Sequence, residues 1–245
     1  MKTTFLKPHL ASLCLALSLV LAPAAAQSRT GDDVYDPFAD YSEFEFGGQE
    51  EADINFFRHG RFVTIGGSLG YRIFTETLGE IYDPGINYGM FFNYFFDMRV
   101  ALNIYFTTGQ SNLTVVALDG TRVSGNVSIM QLGLGARYYI SPQNLTRGLA
   151  QLNPYLLGGF SSNTRTANVR GESRFGRDSA TGLDLGAGIE ISLMRNKSFI
   201  GFQGTYHMVT FPDSNTEILL TGAQPTGIFP RGDFFNLSAT LGTSF

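Results

Sequence analysis

The stretch TGLDLGAGIEISLM, residues 181–194, alternates along its whole length. Thr181, Leu183, Leu185, Ala187, Ile189, Ile191 and Leu193 fall on one face. Gly182, Asp184, Gly186, Gly188, Glu190 and Ser192 fall on the other. A period of two is the signature of a strand; a helix of 3.6 residues per turn would mix the two sets. The glycines disfavour a helix as well. One face is wholly apolar apart from its first residue, and the other carries two carboxylates among glycines and a serine before it reaches Met194.

The same alternation recurs along the chain. In 61–74, Val63, Ile65, Leu69, Tyr71 and Ile73 oppose Thr64, Gly66, Ser68, Gly70 and Arg72. In 85–96, Ile86, Tyr88, Met90, Phe92, Tyr94 and Phe96 oppose Asn87, Gly89, Phe91, Asn93 and Phe95. In 98–108, Val100, Leu102, Ile104 and Phe106 oppose Arg99, Ala101, Asn103 and Tyr105. Residues 123–140 end on Leu132, Leu134, Ala136 and Tyr138 against Gln131, Gly133, Gly135 and Arg137. In 199–209, Ile200, Phe202, Tyr206 and Met208 oppose Gln203, Thr205 and His207. The chain ends on FFNLSATLGTSF, with Phe235, Leu237, Ala239, Leu241 and Phe245 on one side and Thr243 the only break there. PYLLGGFSS (154–162) is strand-like, but its phase stays open. These segments predict eight strands.

The connections alternate in length. Those at 97–98 and 195–197 are tight, and 141–153 is moderate. Those near 75–84, 109–122, 163–180 and 210–232 are longer and polar or Gly-rich. Short turns at one end and long loops at the other are the layout of an all-β, eight-stranded, antiparallel, up-and-down transmembrane barrel. In lipid every backbone N–H and C=O must pair within the protein, and a sheet achieves this by closing on itself. Phe92, Tyr94, Phe96, Phe106, Tyr138, Tyr206 and Phe245 are expected to face lipid near the strand ends. A lipocalin-like barrel or β-sandwich in water is the competing architecture. Such sheets rarely place so many small residues on their polar face.

Composition agrees with a membrane protein that is apolar by alternation. Charged residues are 16% of the 245, against about 25% in an average soluble domain. The N-terminus reads as a secretory signal over 1–26: Lys2 and Lys7, then LASLCLALSLVLAPAAA, then Ala24 and Ala26 at a small-x-small cleavage site. Cys14 would leave with it, which excludes disulfides and thiolate metal sites from the mature chain. Residues 27–54 read as a flexible acidic leader. Its core at 31–53 holds nine acidic residues and no base. The aromatic residues Tyr35, Phe38, Tyr41, Phe44 and Phe46 would suit it to dock a periplasmic partner. The barrel then covers 55–245.

Residues TGLDLGAGIEISLM, NPYLLGGF and the terminal Phe245 resemble the small eight-stranded outer-membrane barrels, the group of the outer membrane protein A transmembrane domain and its OmpX-like and OmpW-like relatives. The resemblance implies an outer-membrane location in a Gram-negative bacterium, with the leader and the C-terminus in the periplasm. It also implies contact with outer-membrane lipid and lipopolysaccharide, and assembly by the barrel insertion machinery, with Phe245 as the recognised C-terminal group. Thr243 and the acidic leader depart from the pattern.

The interior of an eight-stranded barrel is just wide enough for side chains to fill. Arg72, Asn93, Arg99, Arg137, Asp184, Glu190, Gln203 and His207 are expected to point inward as a polar network. Arg137 and Glu190 are the first expected ion pair, because buried charges need opposite partners. Gln131, Asp184 and His207 form a second layer. Arg165, Arg170, Arg174 and Arg177 read as a basic outer loop suited to lipopolysaccharide phosphates. The expected role is structural or interactive, with a narrow channel for ions or small hydrophobic solutes as the runner-up. A lipid A-modifying enzyme is the distant third. It would need a serine within hydrogen-bond reach of His59 or His207. No cofactor, metal or nucleic-acid motif is recognisable.

Overall fold

A computed structural model describes residues 62–97, 99–140, 152–169, 176–193, 197–220 and 224–245. The signal at 1–26, the leader at 27–54, His59, Arg170 and Arg174 lie outside the described residues. Eight strands form one closed sheet: β1 (Val63–Phe74), β2 (Gly85–Phe95), β3 (Val100–Val116), β4 (Arg122–Tyr139), β5 (Leu152–Val169), β6 (Arg177–Leu193), β7 (Ser198–Val209) and β10 (Phe234–Ser244). A short helix, α1 (Glu76–Ile81), follows β1. A two-stranded hairpin, β8 (Leu219–Leu220) and β9 (Gln224–Pro225), lies between β7 and β10.

Every barrel strand pairs antiparallel with its chain neighbours, and β1 closes on β10 from Thr64↔Ser244 to Phe74↔Phe234. The seam extends to the chain end. Phe245 N–H donates to the Val63 carbonyl at 2.8 Å, and Phe62 N–H donates to the Phe245 carbonyl at 3.0 Å. The sheet therefore has no open edge over this span.

From this terminal end to about mid-height the barrel is apolar outside and polar inside. Leu69, Tyr88, Leu134 and Leu241 are exposed, while Asn93, Arg137, Asp184 and Glu190 are buried. That is the reverse of a water-soluble barrel and is what lipid around the wall demands.

The polarity then inverts along the same strands. Beyond Phe106 in β3 the outward residues become Thr108, Gln110 and Asn112, while Leu113 and Val115 turn inward and are buried. In β4, Met130 and Leu132 give way to Ser128 and Asn126 outside, over Val127 and Ile129 inside. β5 changes after Phe160, and β6 changes between Leu183 and Thr181. Here the sheet follows the rule for water, with apolar residues inside and polar outside. This corrects the expected long connections at 109–122 and 163–180. Both are largely strand: β3 runs to Val116 and β4 begins at Arg122, while β5 runs to Val169 and β6 begins at Arg177. Their polar composition belongs to the outer face of an extension made by β3 to β6. The phase of β5 also follows: Tyr155, Leu157, Ser161, Asn163 and Arg165 are buried, and Leu156 and Phe160 are exposed.

The inner face of the extension packs against a cap. Helix α1 with its C-cap Tyr82, and residues 210–220, bring Leu78, Ile81, Tyr82, Phe211, Ile218 and Leu220 onto Leu113, Val115, Val127, Ile129 and Ala167. The last connection thus folds over the barrel mouth. It is stitched to β1 by Thr75, whose N–H donates to the Asp233 carbonyl at 2.9 Å, and by Leu78 N–H to the Arg231 carbonyl at 2.9 Å. Gly232 has φ 141°, and a Cβ there would sit 2.2 Å from the Thr75 carbonyl oxygen. Only glycine fits that close, left-handed crossing.

Candidate functional site

The candidate site is the polar interior, built from inward positions of all eight strands. Nearest the terminal end, Arg137 Nη1 donates to Glu190 Oε1 at 3.1 Å. Tyr139 donates to the same oxygen at 2.9 Å. Arg137 Nη2 and the Tyr155 hydroxyl both donate to Gln203 Oε1, at 3.0 and 2.8 Å. The guanidinium lies over the rings of Tyr155 and Phe91, at 4.7 and 5.1 Å. Below it, the rings of Phe95, Tyr139 and Tyr155 pack in sequence, tilted, at 5.4 and 5.3 Å, and cluster with Leu157 and Phe62. Asn103 donates to Asn93 Oδ1 at 2.6 Å on the neighbouring strand.

The second layer centres on Asp184. Ser161 donates to its Oδ1 at 2.9 Å, Tyr105 donates to its Oδ2, and His207 Nδ1 lies 2.7 Å from Oδ1. The tautomer follows from the next residue. Asn236 Oδ1 accepts from Arg72 Nε at 3.1 Å and from Asn87 at 3.0 Å, so its Nδ2 faces His207 Nε2 at 3.0 Å. Nε2 is then the acceptor, and the ring proton sits on Nδ1 and is given to Asp184. Gln131 closes the layer, 2.8 Å from His207 Nδ1 and 3.2 Å from Ser161 Oγ. Arg72 spans to the Ile129 carbonyl at 3.2 Å and lies 4.9 Å over Phe234, on which His207 stacks at 4.7 Å. The buried charges of these two layers are Arg72 and Arg137 against Asp184 and Glu190. Arg72 reaches its counter-charge through Asn236 and His207 rather than directly.

A polar cavity of about 40 Å³ separates the layers, lined among others by Asn103, Tyr105, Arg137, Gln203 and His207. That is room for about three waters. Inward glycines make space for rings that lean along the wall from the neighbouring strand. A Cβ at Gly133 would fall 2.1 Å from the Tyr105 ring, and one at Gly66 would fall 2.4 Å from Phe91. The small residues of the polar face are thus seats for aromatic side chains.

Ser161, Asp184 and His207 do not form a nucleophilic arrangement. The carboxylate sits between the hydroxyl and the imidazole, whereas an activated serine needs the imidazole next to it. Nε2 of His207, the atom that would act as base, is engaged by Asn236.

A third cluster lies in the mouth. Arg165 is fully buried. It donates through Nε and Nη2 to Asp178, at 3.1 and 2.7 Å, and through Nη2 to Asp213. Nη1 reaches the Tyr82 hydroxyl at 3.3 Å, and the guanidinium lies 4.1 Å over Phe211. Asp213 also accepts from Gly176 N–H at 3.2 Å.

Two expectations are corrected. Arg99 is not in the interior: it is exposed in the β2–β3 turn, where its N–H donates to Asp97 Oδ1 at 2.6 Å. Alternation gave it inward parity, but parity has no meaning once the strand has ended. Arg165 is not in an exposed basic loop, because β5 continues through it and turns it inward. Arg177 is exposed at the start of β6. The interior also uses Tyr105, Tyr139, Tyr155, Ser161 and Asn236. Tyr105 and Asn236 shared the inward parity, but only the register shows what they touch.

The family described as "Outer membrane protein beta-barrel domain" matches residues 12–224. A search of curated proteins finds no match. Among solved structures, the outer membrane protein OprG from Pseudomonas aeruginosa is similar, at 12% identity and a TM-score of 0.54, over 75% of this chain and 96% of that one. Neisserial surface protein A gives 13% and 0.49, over 75% and 97%. The N-terminal β-barrel domain of Pseudomonas aeruginosa OprF gives 17% and 0.44, over 76% and 98%. At such identities the likeness to OprG speaks for the fold. With the family match spanning most of the sequence and the closed, lipid-adapted wall, the chain belongs to the outer-membrane β-barrel protein family.

Proposed function

We propose that this is a sealed outer-membrane barrel whose role is structural or surface contact rather than passage of solutes, with both termini in the periplasm and the capped mouth outside. The observation that carries the reading is the filled interior. The packed rings of Phe95, Tyr139 and Tyr155 occupy the terminal end. The Arg137–Glu190 layer lies above them, and the mouth is covered by an apolar cap pinned by the Arg165–Asp178–Asp213 cluster. A narrow channel would need both ends displaced, because a hydrated ion has no path through packed apolar side chains. On this reading Phe245 presents its ring where the insertion machinery would meet the last strand.

Planar-bilayer recording on the refolded protein tests it. The expected outcome is a baseline without discrete openings across moderate voltages. Reproducible unitary conductance from the unmodified protein, altered in Glu190→Gln, would establish the channel instead.

A further inference from the structure

We propose that the Arg165–Asp178–Asp213 cluster is an acid-set latch on the cap: the cap is held more firmly when the two carboxylates share one proton, and it loosens when that proton is lost. One guanidinium nitrogen serves both acids. Arg165 Nη2 donates to Asp178 Oδ2 at 2.7 Å and also to Asp213 Oδ1. Oxygens bound to one nitrogen lie within about 5 Å of each other. The two acids come from different parts of the fold. Asp178 belongs to β6 in the barrel wall, and Asp213 to the loop after β7 in the cap. Repulsion between them therefore acts directly on cap closure.

The charges of the cluster do not balance. Two carboxylates face one cation, at side-chain exposures of only 14% and 19%. Among the described residues, the other groups around them are Tyr82 after α1, which accepts from Arg165, Phe211 beneath the guanidinium, and Gly176 N–H, which donates to Asp213 at 3.2 Å. Burial pushes the Tyr82 hydroxyl up to about 12, so it stays neutral. Arg177, next to Asp178 in the chain, is exposed. The trio thus carries one net negative charge. Two carboxylates in one site favour holding a proton between them. Burial, helped by the Asp213 charge and opposed by Arg165, pushes the Asp178 carboxyl above its ordinary value.

Linkage fixes the direction of the effect. An open cap separates the acids and lets both ionise in water, at about pH 4. The closed cap keeps a proton that the open cap has already lost. Closure is therefore favoured as pH falls toward the ordinary carboxylate range, and the gain disappears as pH rises through the raised value. A simple arginine–carboxylate pair does the opposite and tightens as its acid ionises. The sign of the pH dependence separates a latch from an ordinary ion pair. The cluster lies in the water-adapted extension, where Thr166 and Asn168 point outward beside it, so the pH it follows is that of the medium.

The experiment uses the refolded mature chain in phospholipid nanodiscs and follows proteolytic cleavage within 210–233 by mass spectrometry. Cleavage of a locally opening segment tracks the population of its open form. Rates are taken as parent over variant at the same pH, which cancels the protease's own pH dependence. The variants are Asp178→Asn and Asp213→Asn, each of which leaves one carboxylate on Arg165 and removes the need for a shared proton. Unboiled gel mobility confirms that each barrel is folded, and the second variant serves where the first does not fold. The parent-over-variant ratio should be several-fold higher at about pH 8 than at about pH 5, where the proton is retained in the parent. A rise with either variant supports the latch. A ratio that stays level, or that falls toward pH 8, in every variant that folds would overturn it and leave an ordinary ion pair. Cap cleavage does not report conductance, so its failure leaves the sealed-barrel reading intact, and a conducting barrel leaves the latch intact.

Discussion

Glu190 and Arg137 hold opposite charges in a space where neither meets bulk water, at 0% and 2% exposure. The desolvation of each is offset by the other, by Tyr139 and by Gln203. Removing one partner of such a pair strands a buried charge and costs about 3–5 kcal/mol, while replacing both with apolar groups is often near neutral. Glu190→Gln and Arg137→Met should therefore each destabilise the barrel by about that amount. The double variant Arg137→Met, Glu190→Leu should cost far less than their sum. Urea unfolding from lipid vesicles measures this, and additive single losses would show that the pair is not coupled. Parity in the sequence was enough to send Arg137, Glu190, Asp184 and His207 inward, since a two-residue period leaves one choice per strand. It was not enough to find that Asn236 orients His207 or that Tyr105 holds Asp184. Those contacts depend on strand stagger and on glycines such as Gly133, which clears room for the Tyr105 ring across the wall.

At the scale of elements, Arg165 in β5 ties its ladder partner Asp178 in β6 to two segments outside the sheet: Tyr82 after α1, and Asp213 with Phe211 in the loop after β7. The cap is otherwise held by apolar packing, by Thr75 and by Asp233, which accepts from Tyr206 and Val209 N–H at 2.7 and 2.9 Å. Arg165→Met keeps much of the packing volume but leaves Asp178 and Asp213 facing each other without a counter-charge. The cap should then open more often while the barrel stays closed. Limited proteolysis should cut within 210–233 several-fold faster than in the parent, with little change in the gel mobility of the folded barrel. Unchanged cleavage would mean that packing alone holds the cap. This cluster was illegible in the sequence because the usual cue reverses there. Ser162, Thr164, Thr166 and Asn168 make the segment read as a polar loop, although they are one face of a strand whose other face is buried.

At the scale of the whole molecule, one sheet serves two solvents. Its lower wall is apolar outward for lipid and its upper wall is polar outward for water, while the interior holds the Arg137–Glu190 and Asp184 layers over a ring cluster below and an apolar core around Arg165 above. Closure makes this possible, since an open edge in the apolar wall would leave unpaired N–H and C=O groups in lipid. The seam is completed by the last residue. Phe245 gives its N–H to Val63 and accepts from the N–H groups of Phe62 and Val63, at 3.0 and 3.2 Å. Its ring is 69% exposed on the lipid-facing side. Deleting Phe245 removes these three bonds, each worth about 1 kcal/mol net in water and more where water is scarce. It also frees the first turn of β1 at the point where the sheet must join. The truncated chain should fold more slowly into vesicles and leave a smaller compact, heat-modifiable fraction on unboiled gels. Phe245→Ala, which keeps the backbone bonds, should fold at an intermediate rate. If the truncated chain matched the parent in both rate and yield, the seam would be shown to close without its final residue, and the terminal ring would be left to act only on whatever inserts the barrel.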